Sequence, residues 1–433
     1  MRGLLDVVAR HKRGEAAGVY SLCSAHPKVI ECALREALAN DAPLLVEATC
    51  NQVNQFGGYT GMQPSDFRRF VQSIAAEVGF NESSLWLGGD HLGPNPWRSD
   101  PAGIAMEKAA EMVYQYVTAG FRKIHLDCSM ACAGDTEPLA EAMIADRAAR
   151  LCAVAERAWR EVGGEPPVYV IGTEVPVPGG ATESLQELAV TSPQAVSETI
   201  GAHKEAFAKA GLDDAWPRVI ALVVQPGVEF DHHKVIDYRP SKARELSDYI
   251  AADAQFIFEA HSTDYQTPQS LQALVRDHFA ILKIGPGATY ALREALWALA
   301  AIDRELPGGD DEADLRSVAI QTMREDPRHW RSYYHDPASE SLDLQFSLSD
   351  RIRYYWPNAQ IQRAYEALLT RLRRAPVPLT LLSQFLPRQY EAVRAGLLAP
   401  RVDDILNEGI ALALRPYMKA CGTGAGGLPR SIG

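Results

Sequence analysis

Eight short stretches of this chain are almost continuously apolar and turn polar or glycine-rich at their ends. They are GVYSLCSA (18–25), PLLVEAT (43–49), SLWLGGD (84–90), KIHLDCS (123–129), VYVIGTEV (168–175), VIALVVQPG (219–227), QFIFEAHS (255–262) and AILKIGPG (280–287). Such runs, lacking strict alternation, suit parallel strands buried on both faces. The intervening stretches, such as PKVIECALREALAN, AMEKAAEMVYQYVTAG and LAEAMIADRAARLCAVAERAWREV, repeat apolar residues at helical spacing on one face. Pro27, Pro138, Pro193 and Pro268 stand at or near first turns, where a missing N–H costs little, and Gly120 and Gly211 stand where helices should end. Eight β-then-α units predict an α/β fold of the TIM (β/α)₈ barrel type, whose closure removes both sheet edges. A doubly wound open sheet is the alternative. Neither G-x-G-x-x-G nor G-x-x-x-x-G-K-[ST] follows any run to support it.

After about residue 305 the rhythm stops. LPGGDDEAD reads as a turn-rich acidic linker, 312–325 as a helix, and 327–357 as an unusually aromatic and basic region. Helices are expected over roughly 358–374, 386–396 and 402–417. The division expected is therefore a barrel carrying the site over 1–305, a helical C-terminal extension over 306–420, and a disordered glycine-rich tail over 421–433.

Composition narrows the function. With 433 residues, 47% of them hydrophobic, the chain can bury a large core. A net charge of −12 argues against nucleic acid or an anionic membrane surface as a partner. The seven cysteines are scattered and odd in number, which suits reduced, buried thiols. The start, MRGLLDVVARHKRGE, lacks the apolar core of a signal peptide, and no stretch reaches the length of a membrane span. A cytoplasmic protein is expected.

In a barrel the carboxyl ends of the strands form the active site. The polar residues there are Glu47 and Thr49, followed by Asn51, Asn54 and Gln55; Asp90 and His91; Asp127 and Ser129; Glu174; Gln225; His261 with Ser262, Thr263 and Asp264; and Gly285 and Gly287. Any one of these could be a strand meeting water, but ring closure brings all of them toward one substrate. His91, Glu174 and His261 offer two imidazoles and a carboxylate, a common shell for a catalytic divalent ion, zinc above all. Gln225 reads as a fourth, neutral ligand or a substrate contact. Asp90, next to His91, suits general acid–base work, and Asp127 and Glu174 are further carboxylates for proton exchange. The doublet His232–His233 reads as a solvated loop.

The order GGDHLGP, HLDCS, GTEVPVPGG, VVQPGVEF, FEAHSTD and LKIGPGATYALREAL resembles the accessory (Z) subunit family of class II tagatose-1,6-bisphosphate aldolase. SLSDRIRYYWP resembles a C-terminal signature of the same family. The likeness spans nearly the whole chain except the tail. More remotely, the chain is similar to zinc-dependent class II ketose-bisphosphate aldolases. That resemblance implies Asp90 as acid–base residue and His91, Glu174 and His261 as zinc ligands. It implies two departures. Gln225 stands where those enzymes have a zinc histidine, and HSTDY replaces the phosphate loop HGGSG, leaving Ser262, Thr263 and the amides around Gly285 and Gly287 as substitutes. Some members carry the label tagatose-6-phosphate kinase, for which no P-loop is visible.

The resemblance implies a ketose or ketose-phosphate substrate, a divalent metal (zinc first, then Mn, Co, Ni or Mg), and three functions in order. The first is a tagatose/fructose 6-phosphate 4-epimerase working by retro-aldol and aldol steps. The second is a non-catalytic subunit stabilising a class II tagatose-bisphosphate aldolase, and the third an aldolase active by itself. A homo-oligomer is a further expectation. Arg351, Arg353 and Tyr354 are expected either to pack as an appendage or to reach over the barrel mouth and hold a phosphate.

Overall fold

Each of the eight runs forms one parallel strand of a closed barrel. The computed structural model describes residues 2–172, 188–307 and 314–423. The strands are β1 Val19–Leu22, β2 Leu44–Thr49, β3 Leu85–Leu92, β4 Lys123–Leu126, β5 Val168–Ile171 and β6 Val219–Val224, then a small hairpin of β7 Glu229–Phe230 and β8 Val235–Ile236, then β9 Ile257–Ala260 and β10 Ile281–Ile284. The barrel order is β1-β10-β9-β6-β5-β4-β3-β2, so the hairpin stands outside it. Closure is made where β10 meets β1, from Val19 opposite Ile281 to Leu22 opposite Ile284. That seam excludes an open sheet. Pro27, Pro193 and Pro268 each open a helix at its first turn, and Gly120 and Gly211 take the left-handed backbone after a helix.

The inside of the barrel has two parts. Toward the amino ends, Val19, Leu45, Val168, Val170, Val223, Ile257 and Ile281 cluster with Leu4, Val7 and Val8. The last three belong to the helix Arg2–Lys12, which plugs that end. Each such fully buried side chain stabilises the fold by roughly 1.5–3 kcal/mol. Toward the carboxyl ends the filling becomes ionic: Glu47, Lys123, Glu259 and Lys283 are all buried. Gly88 on β3 makes room for them, since a Cβ there would lie 2.9 Å from Glu47 Cγ.

The helices that follow the barrel pack on it. Val402–Ala420 lies against Pro286–Glu305, Pro268–Arg276 and Pro27–Ala39. Leu315–Glu325, Ala359–Leu372, Leu379–Phe385 and Pro387–Arg394 fill the rest, with a short helix Glu340–Phe346 inside the aromatic region. Residues 424–433, most of the expected tail, lie outside the described residues. All seven cysteines are free, six of them buried and Cys23 half-buried. Among the described residues no helix is long and apolar enough to cross a membrane.

Candidate active site

A cavity opens at the carboxyl ends of the strands, lined by Asp90, His91, His261, Lys283 and Gly285 from the barrel, Tyr59 from the loop after β2, and Arg353 and Tyr354 from the C-terminal extension. Adjacent residues of a regular strand point to opposite faces. Asp90 and His91 nevertheless both reach the interior, because the pairing of β3 with β4 slips between Gly89 and Leu92. At this irregularity His91 adopts φ 51°, a left-handed conformation that costs a non-glycine residue roughly 1–3 kcal/mol. Strain is spent here to present two neighbouring side chains to one place.

His91 Nε2 and His261 Nδ1 lie 3.1 Å apart. Nitrogens bound at about 2.0–2.1 Å to one tetrahedral ion are separated by roughly 3.3 Å. The outer nitrogen of each ring meets a carboxylate: His91 Nδ1 lies 2.8 Å from Asp127 Oδ2, and His261 Nε2 lies 2.9 Å from Glu259 Oε1. Carboxylates behind metal-binding imidazoles fix the tautomer and aim the free nitrogen. Asp127 is itself anchored, its Oδ1 accepting from the Ser129 amide at 3.1 Å and hydroxyl at 2.7 Å. Burial holds the His261 imidazole down at about 3, so it is neutral and able to ligate. Asp90, His125, Glu259 and His261 form a second, deeper donor set within 4.8 Å, and His125 Nε2 is buried with no hydrogen-bond partner among the described residues. The two sets share His261. The His91–His261 pair faces the cavity, whereas His125 and Glu259 sit beneath it.

Below this pair lies an ionic core. Lys123 Nζ is 2.6 Å from Glu47 Oε1 and 2.7 Å from Glu259 Oε2. Lys283 Nζ is 2.9 Å from Asp90 Oδ1 and 3.3 Å from Glu259 Oε1, and it also pairs with Glu47. Four carboxylates (Glu47, Asp90, Asp127, Glu259) face two ammonium groups (Lys123, Lys283), which leaves two negative charges in excess before any histidine is protonated. A divalent cation on the His91–His261 pair would balance them. Burial alone would raise the Asp90 carboxyl, but Lys283, His91 and His261 outweigh it and hold the group well below the usual carboxylate range. Lys283 is displaced in the complementary sense, its ammonium favoured by Asp90 despite burial.

Other expected residues take different places. Glu174 lies outside the described residues. Gln225 Oε1 accepts from the amides of Gly227 (2.8 Å) and Val228 (3.0 Å), which occupies both lone pairs, so it caps its own loop instead of presenting a ligand oxygen. Asp127 supports His91 and does not line the cavity. Ser262 lines the cavity, but Thr263 is fully buried and donates to the Lys283 carbonyl. The amides of Gly285 and Gly287 both donate to Asp264 Oδ1, at 2.9 and 2.7 Å, so they are not open to a phosphate. Arg351 is sandwiched between the rings of Tyr333 (3.6 Å) and Tyr354 (4.3 Å) and donates to His329 O, away from the cavity. Arg353 does line it, with its Nη2 donating to Tyr354 Oη at 3.1 Å. His232, expected in solvent, is tied to Tyr333 O and Ser349 Oγ.

Lys123, His125, Glu259 and Lys283 lie within the strands and not at their carboxyl ends, so the strand-end positions do not include them. Their signal was the two-residue period: Lys123, His125 and Asp127 share one face, as do Glu259 and His261. Polar residues at alternate positions of an otherwise apolar run mark the barrel interior.

The model of the family described as D-tagatose-1,6-bisphosphate aldolase subunit GatZ/KbaZ-like matches residues 4–422. The chain is similar to a crystal structure from Sinorhizobium meliloti 1021 described as a probable tagatose 6 phosphate kinase, with 48% identity, a TM-score of 0.86, and coverage of 93% of this chain and 100% of that one. The YdjI aldolase of Escherichia coli K12 matches at 11% identity and TM-score 0.41, covering 84% of this chain and 93% of that one. The fructose-bisphosphate aldolase of Campylobacter jejuni matches at 13% and 0.43, covering 85% and 91%.

Proposed function

This chain belongs to the D-tagatose-1,6-bisphosphate aldolase subunit GatZ/KbaZ-like family, and from that premise we propose that it is itself an enzyme, a metal-dependent 4-epimerase of ketose 6-phosphates of the tagatose/fructose type. The observation that carries the proposal is the His91–His261 pair, 3.1 Å apart with each outer nitrogen on a buried carboxylate. A subunit serving only as a scaffold has no use for it. His91 and His261, with Glu174, would hold the divalent ion, zinc first. When bound, the ion supplies Lewis acidity to the ketose carbonyl.

The chain's own residues do the rest. In a 2-ketose the C4 hydrogen is not adjacent to the carbonyl, so enolisation cannot invert C4, but the C4 hydroxyl is β to it and retro-aldol cleavage can. Asp90 accepts the hydroxyl proton, the C3–C4 bond breaks, and its electron pair passes into an enediolate while C4 becomes an aldehyde. After the aldehyde turns, the bond re-forms on its other face and Asp90 returns the proton. Lys283 keeps Asp90 ionised and thus ready to accept, at some loss of basicity. Arg353 meets the phosphate at the mouth.

The test is NMR of the purified, metal-loaded protein with tagatose 6-phosphate. Appearance of the fructose epimer is expected. Triose products would mean an aldolase instead. The description of the family as a subunit favours a second reading, a stabilising partner of a catalytic aldolase chain. Absence of turnover together with stabilisation of such a chain would decide for it.

A further inference from the structure

Resting on the ketose-phosphate reading, we propose that Asp264 makes this a monophosphate site: its carboxylate fills the anion position that a second phosphate would need. Asp264 follows β9, lines the cavity and is 3% exposed. One of its oxygens, Oδ1, accepts from the amides of Gly285 and Gly287 at the start of the helix Pro286–Glu305. Backbone amides at a helix start, carrying the positive end of its dipole, are a ready anion cradle. Here the anion is supplied by the protein. Gly287 permits the close approach, because a Cβ there would lie 3.0 Å from the same Oδ1.

The remaining charges of the cavity agree. Besides its histidines, its lining cations among the described residues are Lys283 and Arg353. Lys283 is consumed by Asp90, Glu47 and Glu259. The segment 173–187 contains no Lys or Arg. Arg353, whose Nη1 donates to the Ser349 and Asp350 carbonyls and whose Nη2 donates to Tyr354 Oη, is therefore the cation with hydrogens left for substrate, and it can serve one phosphate. A ketose bisphosphate would bring its second phosphate against a filled cradle and a buried carboxylate of like charge. An enzyme that cleaves bisphosphates needs two anion positions, and one that epimerises a 6-phosphate needs one. Asp264 is a specificity-determining residue on this argument and takes no part in the chemistry.

Calorimetric titration of the full-length, metal-loaded protein tests this with three probes: inorganic phosphate, fructose 6-phosphate and fructose 1,6-bisphosphate. The wild type should bind the monophosphate at least about tenfold more tightly than the bisphosphate, since like-charge apposition is costly. Asp264→Ala should tighten the bisphosphate and inorganic phosphate about tenfold or more and change the monophosphate by less than about threefold. Asp264→Asn, nearly the same shape without the charge, guards against a misfolded alanine variant and should move the same way by a smaller factor. A wild type that binds the bisphosphate as tightly as the monophosphate, or variants with an unchanged ratio, would overturn the proposal. If neither sugar phosphate binds the wild type while inorganic phosphate still gains in Asp264→Ala, the ketose reading fails and the filled cradle stands. If inorganic phosphate gains nothing in either folded variant, the cradle itself is refuted.

Discussion

Arg293 and Asp350 meet 3.0 Å apart with 2% and 0% of their side chains exposed, and the contact binds the C-terminal extension to the last helix of the barrel. Asp350 Oδ2 also accepts from Thr289 Oγ1 at 2.7 Å. Three residues later stands Arg353, so the pair sets where the mouth receives its cation. Removing one partner strands the other charge in the interior, a loss of about 3–5 kcal/mol. Arg293→Met should therefore lower stability by that order in urea denaturation. The double variant Arg293→Met, Asp350→Asn should recover part of it. Equal stability of wild type and single variant would contradict the anchoring role.

Metal affinity should report on the carboxylates behind the imidazoles. His91→Ala and His261→Ala are expected to abolish stoichiometric binding of zinc. Asp127→Asn, which touches His91 alone of the pair, should weaken it by roughly 10–100-fold. Competition with a chromophoric chelator measures all three, and unchanged stoichiometry in both alanine variants would remove the metal site.

Turnover should depend on Asp90 more than folding does. Asn retains the oxygen that faces Lys283 and His125 but cannot accept and return a proton. Asp90→Asn is expected to lose roughly 10²–10⁴-fold in kcat. Circular dichroism and metal content should stay those of the wild type. A variant with near-normal kcat would show that another group moves the proton.

The two arginines of the aromatic region should separate. Arg353→Ala removes charge-assisted hydrogen bonds worth roughly 1.5–3 kcal/mol, so KM for a phosphorylated ketose should rise roughly 10–100-fold, with little change for the unphosphorylated sugar. Arg351→Ala loosens the Tyr333–Tyr354 sandwich, and its main effect should be a lower melting temperature. Reversal of these two phenotypes would place Arg351 at the phosphate.

Acid should weaken the barrel from inside. Asp90 and Glu259 titrate well below their ordinary values of 3.8 and 4.5, because Lys283 and Lys123 more than offset burial. A depressed carboxyl binds fewer protons folded than unfolded, so its stabilisation is present above about pH 4.5 and lost as pH falls through that range. Asp264 works in the opposite sense. Burial, only partly offset by the Gly285 and Gly287 amides and by Arg353, pushes its carboxyl up to about 6, so its ionisation costs stability as pH rises from about 4 to 6. Glu229 shares that neighbourhood and is raised to about 7, chiefly by burial, with Asp264 adding to the shift. Urea denaturation across pH 3–7 should show Asp264→Asn less sensitive than wild type between pH 4 and 6 and equally sensitive below 4.

The barrel was legible because double burial leaves strands no choice but apolar runs, and eight of them close a sheet. Asp90, His91 and His261 were legible because they end such runs. Lys123, Glu259 and Lys283 were not, because a charge inside an apolar strand looks like an interruption until the ring of partners is known. The placement of Gln225 and Asp264 rests on hydrogen bonds to loop amides, which no spacing announces. Arg353 and Arg351 differ by two positions in one short turn and both stack on Tyr354, and it is Tyr333, packed on the other side of Arg351, that holds Arg351 away from the cavity.

Asp350 and Arg353 lie well after the barrel strands in the chain, and that spacing sets an order of maturation. A ribosome releases β3 and β9, with His91 and His261, long before it releases Arg353 and Tyr354. The helix Val402–Ala420 comes later still, and Cys421 just after it accepts the Gly18 amide at 3.1 Å. On the metal-site reading proposed above, the His91–His261 pair would be present in the nascent barrel while the mouth still lacks the cation for substrate. Were an ion to bind the His91–His261 pair, its capture would precede substrate competence, and a chain stalled between the two would hold its ion idle.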